Sequence, residues 1–421
     1  MPENHAIVFG ASGLIGWAMV DQLLATYPTP GTFASVTAVA NRPIDLAEAH
    51  WPEPEAGRPH LRLVSGVDLR GDAISLADTL RQQVPNADKI THIYYFGEMR
   101  HPPKVRSGVG HDLQEEVAIN KKMLQNVIDA VSSLSQSLKF VVFPGGTRGR
   151  YAEWIQGYGI YIPGGTFSAP LTEDMVNSLP SDYEKTVAYP QFRKLLADAC
   201  RGKSWTWCEI CPDAIIGFTP NGSQFSLALH WAQYLSLYAY NHGIGPRVKD
   251  KPSTDGVSAP VEVPFPGTTA GYNSLCSPVS ASTIAQMAIY AGQNPERCGD
   301  GRLFNIADSD APSTMGDLWP HLAAWFGLVG TGPEARSDTD LLPGEYVERH
   351  QGVFGEHGLE MAVKGGVGAG RKQLDSVGSW LTFDRQLSLG RLREAGFKER
   401  RDPVVGWLEA FDMFRKAGLI L

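Results

Sequence analysis

The sequence predicts an α/β fold built on a doubly wound parallel sheet, followed by a smaller and mostly helical region. Apolar segments of strand length alternate with helix-length segments through the first half of the chain. This alternation is typical of parallel sheets that helices cover on both faces. The strand segments are apolar throughout, as burial on two faces requires. Hydrophobic residues make up 43% of the 421 residues and charged residues 19%, which is enough for a sizeable core.

The elements of the predicted sheet follow one another in a regular order. The first strand runs into a glycine turn and a helix, and a long helix at about 112–133 separates the fourth strand from the fifth. A helix that begins near Tyr189 precedes the sixth strand. The predicted strand segments are HAIVFG (5–10), FASVTAVANRP (33–43), LRLVSGVDL (61–69), ADKITHIYYFG (87–97), LKFVVFPGG (138–146), TWCEICPDAIIGF (206–218) and GRLFNIAD (301–308).

The pattern changes after Gly217, where an aromatic-rich helix is predicted at 222–242. Its aromatic side chains are expected mainly to pack in a core, with a few facing a substrate. We expect residues 1–217, with a return segment at about 276–310, to form the sheet domain. The segments predicted to form a smaller substrate-binding or lid region are 218–275 and 311–421.

The charge balance and the N-terminus argue against several classes of partner. The 37 basic and 45 acidic residues give a net charge of −8, which disfavours nucleic acid or an anionic membrane. The first residues lack the basic and apolar regions of a signal peptide, so we expect a cytoplasmic protein.

The five cysteines lack the spacing of a metal site, so no metal is expected. Their small number suits a reducing compartment. A homodimer is left open.

Cys208 and Cys211 have the C-x-x-C spacing of thioredoxin-like redox motifs. Their surroundings, however, read as a buried strand that runs into a loop. Strand side chains alternate between faces, so the two thiols should point in opposite directions. Redox motifs of this type instead open a helix. We therefore do not expect a redox pair here.

The turn after the first strand has the pattern of a dinucleotide site. Gly10, Gly13 and Gly16 form G-x-x-G-x-x-G between an apolar strand and a helix. Glycine permits the tight turn and lets backbone N–H groups approach a pyrophosphate at the positive end of the helix. The alternative is a glycine turn without a ligand, which this context disfavours. The sequence therefore predicts an NAD(P)-binding Rossmann domain, whose turn also contains Ser12, Leu14 and Ile15.

The end of the second strand favours NADPH over NADH. A site for NAD usually has an acidic residue here, which binds the ribose 2′-hydroxyl. This strand ends in Asn41 and Arg42 instead, with Asp45 as the acidic alternative. An arginine suits a 2′-phosphate because its planar fork makes charged hydrogen bonds with phosphate oxygens. The predicted cofactor site also contains Asp68, which would reach the adenine or cap a helix, and Leu69, Phe96, Gly97, Pro144, Gly145 and Ile215.

The segment AYPQFRKLL (188–196) is similar to the active-site helix of short-chain dehydrogenases, in which a lysine follows a tyrosine by four residues. Here Tyr189 is followed at that spacing by Arg193, and Lys194 comes one residue late. A tyrosine near a helix start with a basic residue at this spacing is common by chance. The segment leaves open whether the basic residue that assists the tyrosine has moved, has been replaced by another residue or is no longer used.

Nine features in a fixed order resemble one enzyme family. They are the glycine turn (10–16), ANRP (40–43), VDL (67–69), THIYYFG (91–97), EEVAINKKMLQNVIDAV (115–131), PGGTRG (144–149), PLTEDM (170–175), Tyr189 and CPDAIIGFTP (211–220). Over about residues 6–310 they are similar to the progesterone 5β-reductase/iridoid synthase-like (PRISE-like) family of atypical extended short-chain dehydrogenases/reductases. The resemblance implies NADPH as cofactor and hydride transfer to the β-carbon of an enone or enal. In some members a cyclisation follows.

The family has its catalytic lysine in a glycine–threonine–lysine loop after the fifth strand. The resemblance matches this loop to residues 146–148, so Arg148 stands at the lysine position. The family's aromatic–glycine pair follows almost at once, whereas RYAEWIQ (150–156) intervenes here. Tyr158 is therefore the expected counterpart of the family aromatic residue, with Tyr151 as its rival.

The expected chemistry divides the work between two residues. When hydride reaches the β-carbon, negative charge develops on the carbonyl oxygen, and a tyrosine hydroxyl with a nearby cation stabilises it. Tyr189 is expected to bind this oxyanion and Arg148 to add its charge, since an arginine stays protonated and cannot relay protons. Arg193 is then expected to be a structural or cofactor-side charge, whose removal has a mild effect.

These features together predict an NADPH-dependent reductase of activated C=C bonds in a hydrophobic small molecule of secondary metabolism. An apolar, bulky substrate suits the aromatic lid. Two alternatives stay open. One is a redox-neutral isomerase or cyclase on the same NADP(H)-binding fold, which the replacement of lysine by arginine keeps open. The other is a nucleotide-sensing regulator without chemistry. The amount of NADPH consumed per product separates all three.

Overall fold

The chain forms two compact units. Unit 1 comprises Met1–Asp213, Ser282–Ala307 and Leu387–Glu399, and unit 2 comprises Ala214–Ala281, Asp308–Gln386 and Arg400–Leu421. The computed structural model describes residues 4–97, 113–146, 167–178, 187–220, 222–223, 226–245, 260–334, 341–365 and 381–421. Within these segments, no helix combines the length and the apolar character needed to cross a membrane.

The helices and strands of the described segments are numbered in chain order. The strands are β1 (His5–Phe9), β2 (Ser35–Ala40), β3 (His60–Ser65), β4 (His92–Tyr95), β5 (Phe140–Pro144), β6 (Thr206–Pro212), β7 (Ala214–Ile216), β8 (Glu262–Pro264), β9 (Pro278–Ser280), β10 (Arg302–Ile306) and β11 (Val329–Thr331). The α-helices are α1 (Leu14–Leu24), α2 (Leu46–Ala49), α3 (Ala73–Gln83), α4 (Leu113–Leu134), α5 (Tyr189–Ala199), α6 (Leu227–Asn241), α7 (Thr269–Asn273), α8 (Ala281–Gln293), α9 (Pro295–Cys298), α10 (Met315–Trp325), α11 (Pro343–His350), α12 (Gly352–Glu356), α13 (Glu360–Gly365), α14 (Gly390–Glu394) and α15 (Pro403–Lys416). Short 3₁₀ helices occur at Ala87–Lys89 and Glu173–Ser178.

Unit 1 is built on a seven-stranded sheet with the order β10-β6-β5-β4-β1-β2-β3. Every neighbouring pair of strands in this sheet is parallel. The predicted doubly wound parallel sheet is therefore confirmed. Its order reverses between β1 and β4, and open α/β sheets bind their ligands beyond the carboxyl ends of the strands at such a reversal.

One face of the sheet shares a hydrophobic core with helices α3, α4 and α5. Alternate strand residues enter this core, because successive side chains of a strand point to opposite faces. The strand members from the three central strands are Ile7, Phe9, Ile93, Tyr95, Val141 and Phe143. On the other face, the His92 ring and the Tyr94 hydroxyl lie close to Gly292 of α8, where a Cβ would lie 2.7 Å from the ring and 3.3 Å from the hydroxyl oxygen. Helices thus cover both faces, which explains why the strands are apolar throughout.

The predicted sixth strand, 206–218, is two strands rather than one. β6 ends at Pro212, and β7 pairs with β9 in unit 2. Because proline has no N–H, the ladder of the large sheet gains no backbone donor at Pro212. The chain leaves unit 1 after Asp213.

Unit 2 combines two pairs of short parallel strands, β7–β9 and β8–β11, with several helices. The predicted aromatic helix is α6, which begins after Ser226, whose hydroxyl accepts a hydrogen bond from the Leu229 N–H at 3.2 Å. Trp231 of this helix is fully buried, and its ring lies 5.2 Å from that of Trp319 and 6.1 Å from that of Phe265. Trp231 of the aromatic pattern therefore packs in the core.

Candidate active site

The glycine turn follows β1 and depends on the absence of side chains. Gly10 has a φ of +80°, and a Cβ there would lie 2.5 Å from the carbonyl oxygen of Phe96. A Cβ at Gly16 would lie 2.1 Å from the carbonyl oxygen of Gly10. The N–H groups of Gly10 and Ala11 both donate to the carbonyl oxygen of Val39 at 3.0 Å, which ties the turn to β2. Only glycine allows the backbone to pass this closely.

The first turn of α1 fits a phosphate group. Gly13 is the N-cap residue, it supplies no side-chain cap, and the first turn carries no acidic residue. The first N–H groups of a helix have no acceptor within it, and the positive end of the helix dipole attracts anions. The backbone of Leu14, Ile15 and Gly16 is therefore available to a pyrophosphate. The residues of the turn, including Ser12, suit a dinucleotide.

The loops after β2 and β3 hold the predicted specificity residues. Asn41 and Arg42 directly follow β2 and are exposed. Asp68 forms an ion pair with Arg70, whose Nη2 lies 2.5 Å and whose Nε lies 2.8 Å from the carboxylate. The hydrogen bond from the Arg70 side chain lowers the pKa of Asp68. Asp68 does not cap a helix, because the N-cap of α3 is Asp72.

A buried asparagine holds the loop after β3, and the sequence reasoning missed it. The side-chain amide of Asn126 donates to the carbonyl oxygens of Leu69 at 2.9 Å and Gly71 at 3.0 Å. A Cβ at Gly97, after β4, would lie 3.2 Å from the Leu69 side chain. The available signal was a polar residue on the core-facing side of α4. These contacts bring together four residues of the predicted cofactor site: Gly10, Leu69, Phe96 and Gly97.

Tyr189 is the first residue of α5, and its side chain is buried. A Cβ at Gly146 would lie 3.3 Å from the Tyr189 hydroxyl oxygen and 3.7 Å from its ring. Gly145 follows Pro144, the last residue of β5, and its N–H donates to the carbonyl oxygen of Ile210 at 2.8 Å. The phenol therefore lies against the backbone that leaves the carboxyl end of β5.

Arg193 forms an ion pair with Glu209 of β6. Its Nη2 donates to Glu209 Oε1 at 2.9 Å, and its Nε donates to Oε2, so the guanidinium binds both oxygens. Glu209 is fully buried, whereas the Arg193 side chain is 24% exposed. This geometry agrees with the structural alternative for Arg193. Because removal of Arg193 would leave a buried carboxylate without this partner, we expect a larger effect than the mild one predicted from the sequence. The signal for Glu209 was a single charge inside the apolar segment TWCEIC.

Two predicted residues lie outside the described part of the chain, and a third belongs to unit 2. Arg148 and Tyr158 lie outside the described residues, as does the rival Tyr151. Ile215 lies in β7 and belongs to unit 2. The assignments of Arg148 and Tyr158 to catalysis, and of Ile215 to the cofactor, stay predictions.

Cys208 and Cys211 both lie in β6, as the strand prediction required. Both thiols are free and buried. Burial raises the pKa of each thiol well above its usual value. Because redox exchange requires a thiolate, these side chains lack the environment of a reactive pair.

Known proteins that are similar in sequence over nearly the whole chain include a dehydrogenase, a reductase and an enol synthase. A short chain dehydrogenase of Aspergillus calidoustus is 28% identical, covering 99% of this chain and 94% of its own. A 3-oxo-Delta(4,5)-steroid 5-beta-reductase of Arabidopsis thaliana is 23% identical over 98% of this chain and 93% of its own. An (S)-8-oxocitronellyl enol synthase of Nepeta cataria is 24% identical over 97% and 91%.

A solved structure shares the fold over the whole length. A GDP-mannoheptose C4 reductase of Campylobacter jejuni with NADP bound matches with a TM-score of 0.58 at 12% identity, covering 99% of both chains. At this identity the likeness supports the fold alone. The short chain dehydrogenase and the steroid reductase above support an oxidoreductase, and the Rossmann-fold family model supports a nicotinamide cofactor. The family described as PRISE-like Rossmann-fold domain matches residues 6–421, and the chain therefore belongs to that family.

Proposed function

We propose that this protein is a cytoplasmic, NADPH-dependent ene-reductase that reduces the C=C bond of an α,β-unsaturated carbonyl in a hydrophobic small molecule of secondary metabolism. The observation that carries the proposal is the Tyr189 hydroxyl beside the Gly146 backbone, at the carboxyl end of β5. Family membership supports it, since relatives in the same family are named as a steroid 5-beta-reductase and an enol synthase.

Three features of unit 1 support NADPH as the cofactor. The first turn of α1 offers backbone N–H groups to the pyrophosphate. Arg42 is exposed after β2, where an NAD site would have an acidic residue. Asp68, held by Arg70, follows β3, where it would reach the adenine. When bound, NADPH supplies the hydride of the reaction.

The proposed role of Tyr189 is to hold the carbonyl oxygen of the substrate. As hydride arrives at the β-carbon, electrons move onto this oxygen and an enolate develops. The O–H of the buried Tyr189 side chain donates a hydrogen bond to the developing charge. The α-carbon then takes a proton from solvent, and the carbonyl reforms. The product keeps its carbonyl group and gains two hydrogens at the former double bond.

The proposed helper is Arg148, on the sequence resemblance alone. A permanently charged guanidinium strengthens the binding of an oxyanion without relaying a proton. Arg193 is less suited to this task, because its guanidinium binds both oxygens of Glu209. A conjugate reduction needs the oxyanion to be held more than it needs immediate protonation, so an arginine is compatible with the chemistry.

A panel of small enones and enals tests the reaction type. Purified protein receives NADPH deuterated at the transferred position, and absorbance of NADPH and product mass are followed together. We expect deuterium at the β-carbon, an intact carbonyl and one NADPH consumed per product. Label on a carbinol carbon would show ordinary carbonyl reduction. Product formed without NADPH consumption would show an isomerase or cyclase, and binding of NADPH without product from any substrate would show a sensor.

A further inference from the structure

The ion pair between Arg193 and Glu209 involves the helix that carries the proposed catalytic tyrosine. Arg193 follows Tyr189 by four residues on α5, so both side chains lie on the same side of the helix. Glu209 lies in β6 and is fully buried. We infer that Arg193 and Glu209 form a positioning pair, which fixes the Tyr189 hydroxyl against the loop that begins at Gly145.

The carboxylate of Glu209 also contacts this loop. A Cβ at Gly145 would lie 1.9 Å from Glu209 Oε1, so the carboxylate occupies the space that a side chain would need. The next residue, Gly146, lies against the ring and hydroxyl of Tyr189. The same carboxylate therefore touches the loop from one side and, through Arg193, holds the helix that carries Tyr189 from the other.

These contacts form a closed ring. One path runs from Glu209 through the backbone of Gly145 and Gly146 to Tyr189, and the other runs through Arg193 and one turn of α5 to the same tyrosine. A guanidinium that binds both carboxylate oxygens fixes the orientation of the two side chains as well as the distance between them, whereas a single point charge fixes only the distance. A change in the pair should therefore move the phenol relative to the loop, even where the protein stays folded.

The burial of Glu209 explains why the ring persists. An unpaired carboxylate inside a protein is costly, so the fully buried Glu209 favours the position in which the guanidinium binds both of its oxygens. Cys211 adds a weak contact, with its Sγ 3.4 Å from Glu209 Oε1. Arg193 thus carries out a task different from that of the lysine four residues after the tyrosine in ordinary short-chain dehydrogenases: it positions the tyrosine and leaves the charge at the oxyanion to another residue.

A spectroscopic experiment tests this inference without relying on catalysis. The full chain is prepared with 3-fluorotyrosine at position 189, and its ¹⁹F resonance is recorded with and without NADPH. The test variants are Arg193→Lys, which keeps the charge but loses the fork, and Glu209→Gln, which keeps the shape but loses the charge. The control is Arg201→Ala, which removes an exposed ion pair to Asp198 near the end of the same helix.

We expect a single sharp resonance in the protein with the intact pair and in Arg201→Ala. Arg193→Lys and Glu209→Gln should broaden it, split it or shift it. An unchanged resonance in either folded test variant, together with a lowered melting temperature, would show that the pair only stabilises the fold and would overturn the inference.

The positioning role rests on the proposed function, and a rate measurement separates the two. With an enone that the protein reduces, Arg193→Lys should lower the single-turnover rate ~10–100-fold, as misplacement of a reacting group does, with NADPH affinity unchanged. In a Tyr189→Phe background the same change should add nothing further. An additional loss in that background would show that Arg193 does not act through Tyr189. Should no enone be reduced, the proposed function fails, while the fluorine spectra still decide the positioning.

Discussion

Two sites at the carboxyl edge of the sheet in unit 1 are built on opposite principles. The glycine turn (10–16) depends on missing side chains and on hydrogen bonds between backbone groups. The Tyr189 site, formed by Gly145, Gly146, Tyr189, Arg193 and Glu209, depends on two charged side chains that meet in the interior. The first is expected not to tolerate added volume near the backbone. The second is expected to tolerate neither the loss of a charge nor a change in its shape.

The largest expected effect is at the ion pair. Arg193→Ala leaves the buried carboxylate of Glu209 without its partner, so the free energy of unfolding should fall by ~3–5 kcal/mol. Urea unfolding followed by tryptophan fluorescence measures this. The double variant Arg193→Met with Glu209→Gln should recover much of the loss, because no charge is then left buried alone. Arg201→Ala, at the exposed pair with Asp198, is the matched control and should be neutral. Strictly additive losses in the double variant would contradict the pairing.

The next effect concerns catalysis at the same site. Tyr189→Phe removes the hydroxyl but keeps the ring that lies against Gly146, so the fold and the NADPH affinity should change little. Turnover should fall by roughly 10²–10³, as the loss of one oxyanion donor does. Single-turnover kinetics and cofactor titration measure the two quantities separately. A variant with normal turnover would remove Tyr189 from the mechanism.

At the cofactor end, Arg42→Ala should weaken the binding of NADPH by ~1.5–3 kcal/mol, the range for a lost charged hydrogen bond. The binding of NADH, which lacks the 2′-phosphate, should change little. Titration of both cofactors against the same variant makes the comparison. Equal losses for the two would show that Arg42 does not bind the phosphate, and Asp45 would then become the residue to test.

The smallest expected effect is steric. Gly16→Ala places a methyl group 2.1 Å from the carbonyl oxygen of Gly10, so the turn must shift. Overpacking of this kind costs ~1–3 kcal/mol of unfolding free energy, and cofactor binding should weaken because the N–H groups of the turn move with it. Gly71→Ala is the matched control, since its Cβ would have an ordinary contact of 3.7 Å with Asp68. Equal behaviour of the two variants would contradict the close approach at Gly16.

The difference between the two sites also explains what sequence reasoning found. The glycine turn, the apolar strands and the loops after them are local patterns, and the structure confirms the parallel sheet they predicted. The roles of Asn126 and Glu209 were not predicted, because the role of a buried polar residue depends on its hydrogen-bond partner, and that partner lies elsewhere in the chain. Asn126 holds carbonyl groups 57 and 55 residues away, and Glu209 pairs with a residue 16 positions earlier.

The sequence by itself determined the fold class, the glycine turn after the first strand and the start of a helix at Tyr189, because strand periodicity, glycine spacing and helix starts are properties of neighbouring residues. Only the tertiary structure decided that 206–218 divides into β6 and β7, and that Leu387–Glu399 groups with unit 1. It also decided the partner of Arg193. The sequence shows a cation one turn after the tyrosine, but only the packing of α5 against β6 shows that a buried carboxylate already binds it. The physical reason is that the environment of a charge depends on burial and on its nearest opposite charge, and both arise from contacts between elements that are distant in the chain.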